Sequence, residues 1–207
     1  MKRLIFYTSL FFFALLLNSC FELKQSLIFQ SDDTCIMSWS YLFPEKYQTA
    51  LQQCESRFQN SSSKRVPYTI MNKESWQKWV AQNPDLELRG YSLYTIDDQV
   101  KVRIVVLCKN AMKNINSGIF GDLQLHKNSL GDVDCQINIP KLDPEKFTQN
   151  KDLQLLLKDA HMTYTVNTPT ALLKTNGKKE SFQSASWQWD FAPKTSMPDT
   201  DVLQFSW

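Results

Sequence analysis

Glycine and histidine are scarce in this chain, with five glycines and two histidines among 207 residues. So few glycines leave little material for loops that hold phosphate groups, and they exclude collagen-like or glycine-linker organisation. Basic residues form no run longer than the pairs at 64–65 and 178–179. This excludes the basic surface of a nucleic-acid-binding protein. We expect one compact domain, because the chain is long enough for a single buried core.

Recognisable catalytic motifs are also missing. Serine nucleophile elbows, HExxH, Walker loops and dinucleotide fingerprints do not occur. His126 and His161 have no cysteine or carboxylate partner at ligand spacing, so we interpret them as surface or turn residues and expect no metal or cofactor. Asp32-Asp33 and Asp97-Asp98 are interpreted as turns. A non-enzymatic protein is favoured, and a secreted hydrolase of unrecognised type is the alternative, since carboxylates can be assembled from distant positions.

The first twenty residues follow the order of a secretory signal. Lys2 and Arg3 give a basic start, and residues 4–17 are uncharged and rich in Leu and Phe. Fourteen residues reach only about 21 Å as a helix, which is short of the roughly 30 Å hydrocarbon core of a bilayer. The leader therefore favours a cleaved signal peptide over a permanent membrane helix.

Leu17-Asn18-Ser19-Cys20 resembles the lipobox of bacterial lipoproteins. The resemblance implies cleavage before Cys20 and acyl chains on that cysteine. Two or three chains give lasting attachment to a membrane. An ordinary secreted protein with an unmodified Cys20 is the alternative. In a Gram-negative cell the outer membrane is favoured, because Phe21 is not the aspartate that resembles an inner-membrane retention signal.

Cleavage there divides the chain into a signal peptide, residues 1–19, and a single extracytoplasmic domain, residues 20–207. Without Lys2 and Arg3, the remaining 21 basic residues balance the 21 acidic ones. The mature chain therefore carries no net charge that would attract a nucleic acid.

Four cysteines remain besides Cys20, an even number that suits disulfides in an oxidising compartment. Three pairings are open. The nearest-neighbour scheme, Cys35–Cys54 and Cys108–Cys135, joins residues that all fall on apolar faces, and each bond would contribute roughly 3 kcal/mol. Four buried free thiols are the alternative.

Alternating apolar and polar residues predict eight strands in the mature chain. The predicted strands cover residues 21–30, 35–41, 91–96, 100–108, 135–139, 162–166, 187–191 and 203–207. Asn176-Gly177 predicts a further hairpin turn. Residues 109–134 are expected to form a long connection with one amphipathic turn around 115–125.

Three helices are predicted from capping signals and apolar stripes. One follows Pro44 and ends near Phe58, a short one follows the cap Asn72, and a third follows Asp143-Pro144-Glu145. The order of elements predicts an α+β fold, a mainly antiparallel sheet of hairpins with two or three helices packed on one face.

The tryptophans are the one compositional oddity, since all six lie in the mature chain. Core packing is one interpretation. The other is that some of them line a groove for an apolar ligand or a partner, because large amphipathic rings provide contact area. The candidate contact residues are Trp76, Trp79, Trp187 and Trp189.

The mature chain resembles the LppM-like family of bacterial lipoproteins. The resemblance rests on the alternating strand from Phe21 to Phe29 directly after Cys20, on the Asp-Asp turn and second strand, and on Asn176-Gly177 leading to the strand 186–191. It implies an α+β domain that binds a lipid or another hydrophobic ligand at the cell envelope, and it supplies no catalytic residues. With the lipobox and the missing catalytic motifs, we expect a membrane-anchored, non-enzymatic envelope lipoprotein that binds an apolar, lipid-like ligand or an envelope protein partner. Four further cysteines and the lack of a C-terminal transmembrane segment are departures from the family.

Overall fold

The computed structural model describes residues 21–56, 66–67, 69–140, 149–158, 160–190 and 200–207. The leader with Cys20, the predicted helix start at Asp143, and Phe58 and Phe191 lie outside these residues. The strands are β1 (Glu22–Phe29), β2 (Cys35–Pro44), β3 (Leu86–Ile96), β4 (Gln99–Cys108), β5 (Leu123–Lys127), β6 (Val133–Pro140), β7 (His161–Asn167), β8 (Lys174–Thr175), β9 (Lys178–Lys179), β10 (Ser184–Asp190) and β11 (Thr200–Ser206). The helices are α1 (Gln48–Ser56), α2 (Lys73–Ala81), α3 (Ala111–Asn116) and α4 (Lys151–Lys158), with a 3₁₀ turn at Glu45–Tyr47 before α1.

The larger sheet has seven strands in the order β3-β4-β2-β1-β7-β10-β9. Its two hairpins, β1–β2 and β3–β4, follow directly from the alternation in the sequence, and both were predicted. The β3–β4 turn is Asp97-Asp98, with φ of 49° and 60°, the left-handed backbone that a two-residue hairpin turn requires. Among the strand pairs of the described residues, only β1 with β7 is parallel. The α+β fold with mostly antiparallel strands is thus confirmed.

The smaller sheet has four strands in the order β5-β6-β11-β8. Its inward side chains join those of the larger sheet in one core. Aromatic rings make this connection: Phe29 of β1 lies 4.7 Å from Trp207 and 6.2 Å from Phe205, measured between ring centroids. The predicted single sheet is therefore two sheets that share a core.

Three helices of eight or nine residues pack against the sheets. The start of α2 is the predicted cap, because the Oδ1 atom of Asn72 accepts a hydrogen bond from the backbone N–H of Ser75 at 3.1 Å. Helix α4 buries three residues spaced along one stripe: Leu153, Leu156 and Leu157. No helix in the described part of the chain is long and apolar enough to cross a membrane.

Two predictions for the chain between the hairpins need correction. Residues 109–134 are not one long connection, since they contain helix α3 and strand β5. Asn176-Gly177 is not a hairpin turn, because β8 before it pairs with β11 and β9 after it pairs with β10. This dipeptide instead connects β8 of the smaller sheet to β9 of the larger sheet.

The four cysteines of the described residues are buried free thiols. The register of β2 and β4 places Cys35 directly opposite Cys108, so Cys35 does not face Cys54 as predicted. Burial raises the pKa of the Cys35 thiol well above its usual value and that of Cys108 to about 12. The two predicted disulfides, Cys35–Cys54 and Cys108–Cys135, are therefore not present in this structure.

Candidate functional site

Two of the four candidate tryptophans belong to the core. Trp76 has no exposed surface and Trp79 is 3% exposed. The indole N–H of Trp76 donates a hydrogen bond to the backbone carbonyl of Thr69 at 2.7 Å, and its ring packs against Trp39 with centroids 5.2 Å apart. These two side chains are not available to a ligand, which corrects the prediction for them.

Trp187 and Trp189 are half-buried on β10. The indole N–H of Trp187 donates to Oδ1 of Asn176 at 2.9 Å. Its ring lies so close to Gly177 that a Cβ atom there would come within 2.3 Å of it, so Gly177 is required for space. Trp187 therefore joins the two sheets, and its polar atom is already occupied.

A groove of about 770 Å³ lies over the outer face of the smaller sheet. Residues directly opposite each other on neighbouring strands project to the same face, and the strand register places the polar side chains of this face in two rows. The first row contains His126, Asp134, Ser206 and Lys174. The second contains Gln124, Gln136 and Gln204, with Asn176 beside Gln204.

Side chains at the two rims of the groove hold its backbone in place. Asn116, at the end of α3, donates to the carbonyl of Leu125 and accepts from the N–H of Leu125, both at 2.8 Å. Asn176 accepts from the N–H of Gln204 at 2.9 Å and donates to the carbonyl of Val202 at 2.8 Å. The amides between these rims, Gln124 and Gln204, make no side-chain hydrogen bond within the described residues and can bind a ligand.

The first row brings a histidine, an aspartate and a serine together, but not in catalytic order. Asp134 lies between His126 and Ser206. Two strand spacings place His126 and Ser206 about 9.5 Å apart, beyond the reach of a hydrogen bond from the hydroxyl to the imidazole. The groove therefore offers hydrogen bonds and two opposite charges, on Asp134 and Lys174, rather than an activated nucleophile.

A second cleft, of about 450 Å³, lies on the outer face of the larger sheet. His161 Nδ1 is 3.1 Å from Oδ1 of Asp190, and Glu22 lies opposite His161 on β1. Glu22 itself forms an ion pair with Lys24 at 3.0 Å. The sequence has no carboxylate partner for His161 at helical or strand spacing, and the structure supplies one, Asp190, from the neighbouring strand β10, which is distant in the sequence. No group of three or more potential metal ligands occurs in the described part of the chain.

Glu55 on α1 is a buried carboxylate outside both cavities, only 9% exposed. It accepts a hydrogen bond from the N–H of Ile70 at 2.6 Å and two from the N–H of Met71, both at 3.3 Å. Burial raises its pKa to about 7, although these N–H donors oppose the shift. Glu55 fixes the segment before α2, where the Tyr91 hydroxyl also donates to the carbonyl of Ile70 at 3.0 Å.

The raised pKa of Glu55 predicts how stability depends on pH. Between pH 4.5 and about 7 the unfolded chain releases a proton that the folded chain retains. The free energy of unfolding should therefore fall by up to about 3 kcal/mol across this range, and then level off. Relative to Glu55→Gln, which cannot ionise, the wild-type protein should lose stability as the pH rises.

Urea unfolding at several pH values, followed by tryptophan fluorescence, measures this difference. Glu87→Gln, on the exposed surface of β3, is the matched control and should run parallel to the wild type. Parallel curves for the wild type and Glu55→Gln would show that Glu55 has no raised pKa.

Comparison with known proteins gives no family assignment. No family model matches the chain and no curated protein is similar to it. Among solved structures, it is similar to the NMR structure of the folded domain of LppM from Mycobacterium tuberculosis. The sequence identity is 15% and the TM-score is 0.48, over 91% of this chain and 90% of that chain.

Proposed function

We propose that this protein is a non-enzymatic binding protein of the bacterial cell envelope, held to a membrane by acyl chains on Cys20. The leader and its lipobox support the anchor. We further propose that the ligand is polar and rich in hydroxyl and amide groups, as a saccharide chain is. The observation that supports this choice is the groove over the smaller sheet, where glutamine side chains lie in a row across three strands. Gln124 and Gln204 make no side-chain hydrogen bond within the described residues, and the amide N–H of Gln136 between them donates to Oδ1 of Asn138 at 3.1 Å while its carbonyl oxygen can accept from a ligand.

The chemistry of the groove favours a saccharide over the apolar ligand expected from the tryptophans. Each glutamine amide both donates and accepts hydrogen bonds, as a hydroxyl or acetamide group also does. Asp134 and Lys174 carry opposite charges, so the groove has no strong preference for an ion of either sign. An apolar ligand would leave these polar groups without partners, at a cost of about 1–3 kcal/mol for each group that it buries.

Titration with N-acetylglucosamine oligomers, followed by NMR, tests the choice of ligand. We expect chemical-shift changes at Gln124, Gln136 and Gln204, and we expect Gln136→Ala to weaken binding about two- to tenfold, the effect of one lost hydrogen bond. Gln77→Ala, on the exposed side of α2, is the matched control and should bind as the wild type does.

Titration with an apolar probe, N-phenyl-1-naphthylamine, tests whether the protein binds an apolar ligand instead. The proposal expects no saturable binding of this probe. Saturable binding of the probe, or no shifts in the groove with millimolar saccharide, would contradict a polar ligand.

The hydrolase alternative has one observation in its favour, the contact between His161 and Asp190. Among the described residues, the direct cross-strand neighbours of His161 are Glu22 and Asp190, and neither is a hydroxyl or thiol nucleophile. Thr163 follows two positions later on the same face, about 6.6 Å along the strand. This hydroxyl is too far for direct activation by the imidazole.

A further inference from the structure

The β3–β4 hairpin tip (residues 91–98) lies at the same end of the larger sheet as the residue that follows Cys20. The strand register shows this. Glu22, the first residue of β1, lies opposite Leu42, Leu42 lies opposite Lys101, and Lys101 lies opposite Tyr94. The N–H of Glu45 donates to the carbonyl of Asp98 at 2.8 Å, which joins the tip to the end of β2.

Phe21, directly before β1, is held in place by its contacts with the core. Phe21 is 5% exposed, and its ring stacks on Phe43 with centroids 6.0 Å apart. Its carbonyl accepts a hydrogen bond from the N–H of His161 at 2.9 Å. One residue spans at most about 3.6 Å, so acyl chains on Cys20 would hold this end of the sheet against the bilayer.

The hairpin tip exposes apolar side chains at that end. Residues 92–98 are all exposed. Tyr94 is 41% and Ile96 is 58% exposed, and the two project to the same face because strand side chains alternate. Lys101 lies beside Tyr94 on the neighbouring strand. Tyrosine and lysine are residues that place an apolar body in the membrane interface and a polar end in water.

We propose that the hairpin tip is a second membrane contact, and that its partner is the bilayer that holds Cys20. This rests on the proposed lipid anchor. A tilt of the sheet that turns the face carrying Tyr94 and Ile96 towards the bilayer lets these two side chains reach the boundary between headgroups and acyl chains, while the turn residues Asp97 and Asp98 remain among the headgroups. About three strand spacings, or 14 Å, separate β3 from β1, so the two contacts fix the orientation of the domain on the membrane.

Within the described residues β3 is the edge strand of the larger sheet, and a second copy of this chain is a poorer occupant of that edge. Two copies paired antiparallel through β3 would place their β1 starts at opposite ends of the joined sheet. Both lipid anchors could not then enter one bilayer with the strands upright. Parallel pairing of the two β3 strands keeps both β1 starts at one end of the joined sheet, and Tyr94 and Ile96 of each copy then still lie beside the bilayer that holds Cys20.

Fluorescence quenching on the full lipoprotein tests the proposal. Ile96→Cys and, separately, Tyr94→Cys carry an environment-sensitive fluorophore, and Ser31→Cys, in the exposed β1–β2 turn at the far end of the sheet, is the matched control. Unsubstituted protein is treated with the fluorophore in parallel, as the control for labelling of the native cysteines. It should take up little label, because its four described cysteines are buried. The proteins are reconstituted in phosphatidylethanolamine and phosphatidylglycerol vesicles with brominated acyl chains.

We expect a blue shift and a loss of emission at positions 96 and 94, and neither change at position 31. Equal emission at all three positions, with the protein sedimenting with the vesicles, would overturn the second contact and leave the lipid anchor intact. Protein that does not sediment with the vesicles would overturn the anchor and this proposal with it.

Discussion

Replacing Trp76 with alanine is expected to lower the free energy of unfolding by about 3–5 kcal/mol. The substitution empties a site with no exposed surface between Trp39 and Trp79, whose ring centroids lie 5.2 and 5.7 Å away. It also leaves the carbonyl of Thr69 without its indole donor. The loss is a large part of the roughly 5–15 kcal/mol that stabilises a domain. Urea unfolding monitored by circular dichroism measures it.

Trp76→Phe is the matched variant, since it keeps an aromatic ring and removes the N–H donor. It should cost less than Trp76→Ala, because most of the cavity stays filled. If Trp76 instead lined a ligand groove, alanine would barely change the stability and would abolish ligand binding. That outcome would return Trp76 to the role of a contact residue and contradict its place in the core.

Local features of the fold could be predicted because they depend on neighbouring residues. The alternation along β1, β2, β3 and β4, with aspartate turns between them, specifies two hairpins. The capping asparagine before Trp76 specifies the start of α2. Strand β5 was missed, because five residues that include the polar pair His126-Lys127 resemble a loop. Its pairing with β6 depends on the register and not on its composition.

Asn176-Gly177 shows where a local rule fails. The dipeptide favours a hairpin turn because glycine adopts a positive φ, and yet the positive-φ glycines here are Gly118, Gly121 and Gly131. Gly177 is needed because Trp187 occupies the space of a side chain. That requirement comes from Trp187, ten positions later in the sequence. The residue types that mark a turn give no information about such a contact.

The candidate groove was missed for a related reason. Gln124, Gln136 and Gln204 each occupy the polar position of an alternating strand, and taken singly they look like solvated surface. Only the pairing of β5, β6 and β11 places them in one row. The tryptophans attracted attention because they are conspicuous in the sequence, whereas Trp76 and Trp79 are large enough to be needed in the core.

Replacing Cys20 with alanine is expected to leave a full-length precursor with no incorporated fatty acid. Alanine has no sulfur atom to carry the diacylglyceryl group, so the step that precedes lipobox cleavage cannot occur. Each buried methylene contributes about 0.8 kcal/mol to membrane attachment, and the variant loses all of the acyl methylenes. Immunoblotting for chain length, together with labelling by a radioactive fatty acid, measures both effects.

Cys54→Ala is the matched control, because it removes another cysteine from the chain and leaves the lipobox intact. It should be processed and acylated like the wild type. Normal processing and acylation of Cys20→Ala would show that lipid attaches elsewhere or that the leader is cut by an ordinary signal peptidase.

The mass of the intact mature protein tests the lipid anchor most directly. We expect a chain that begins at Cys20, with a mass increased by a glycerol unit and two or three acyl chains. An unmodified chain that begins several residues beyond Cys20 would contradict the anchor, and with it the orientation of the hairpin tip towards the membrane.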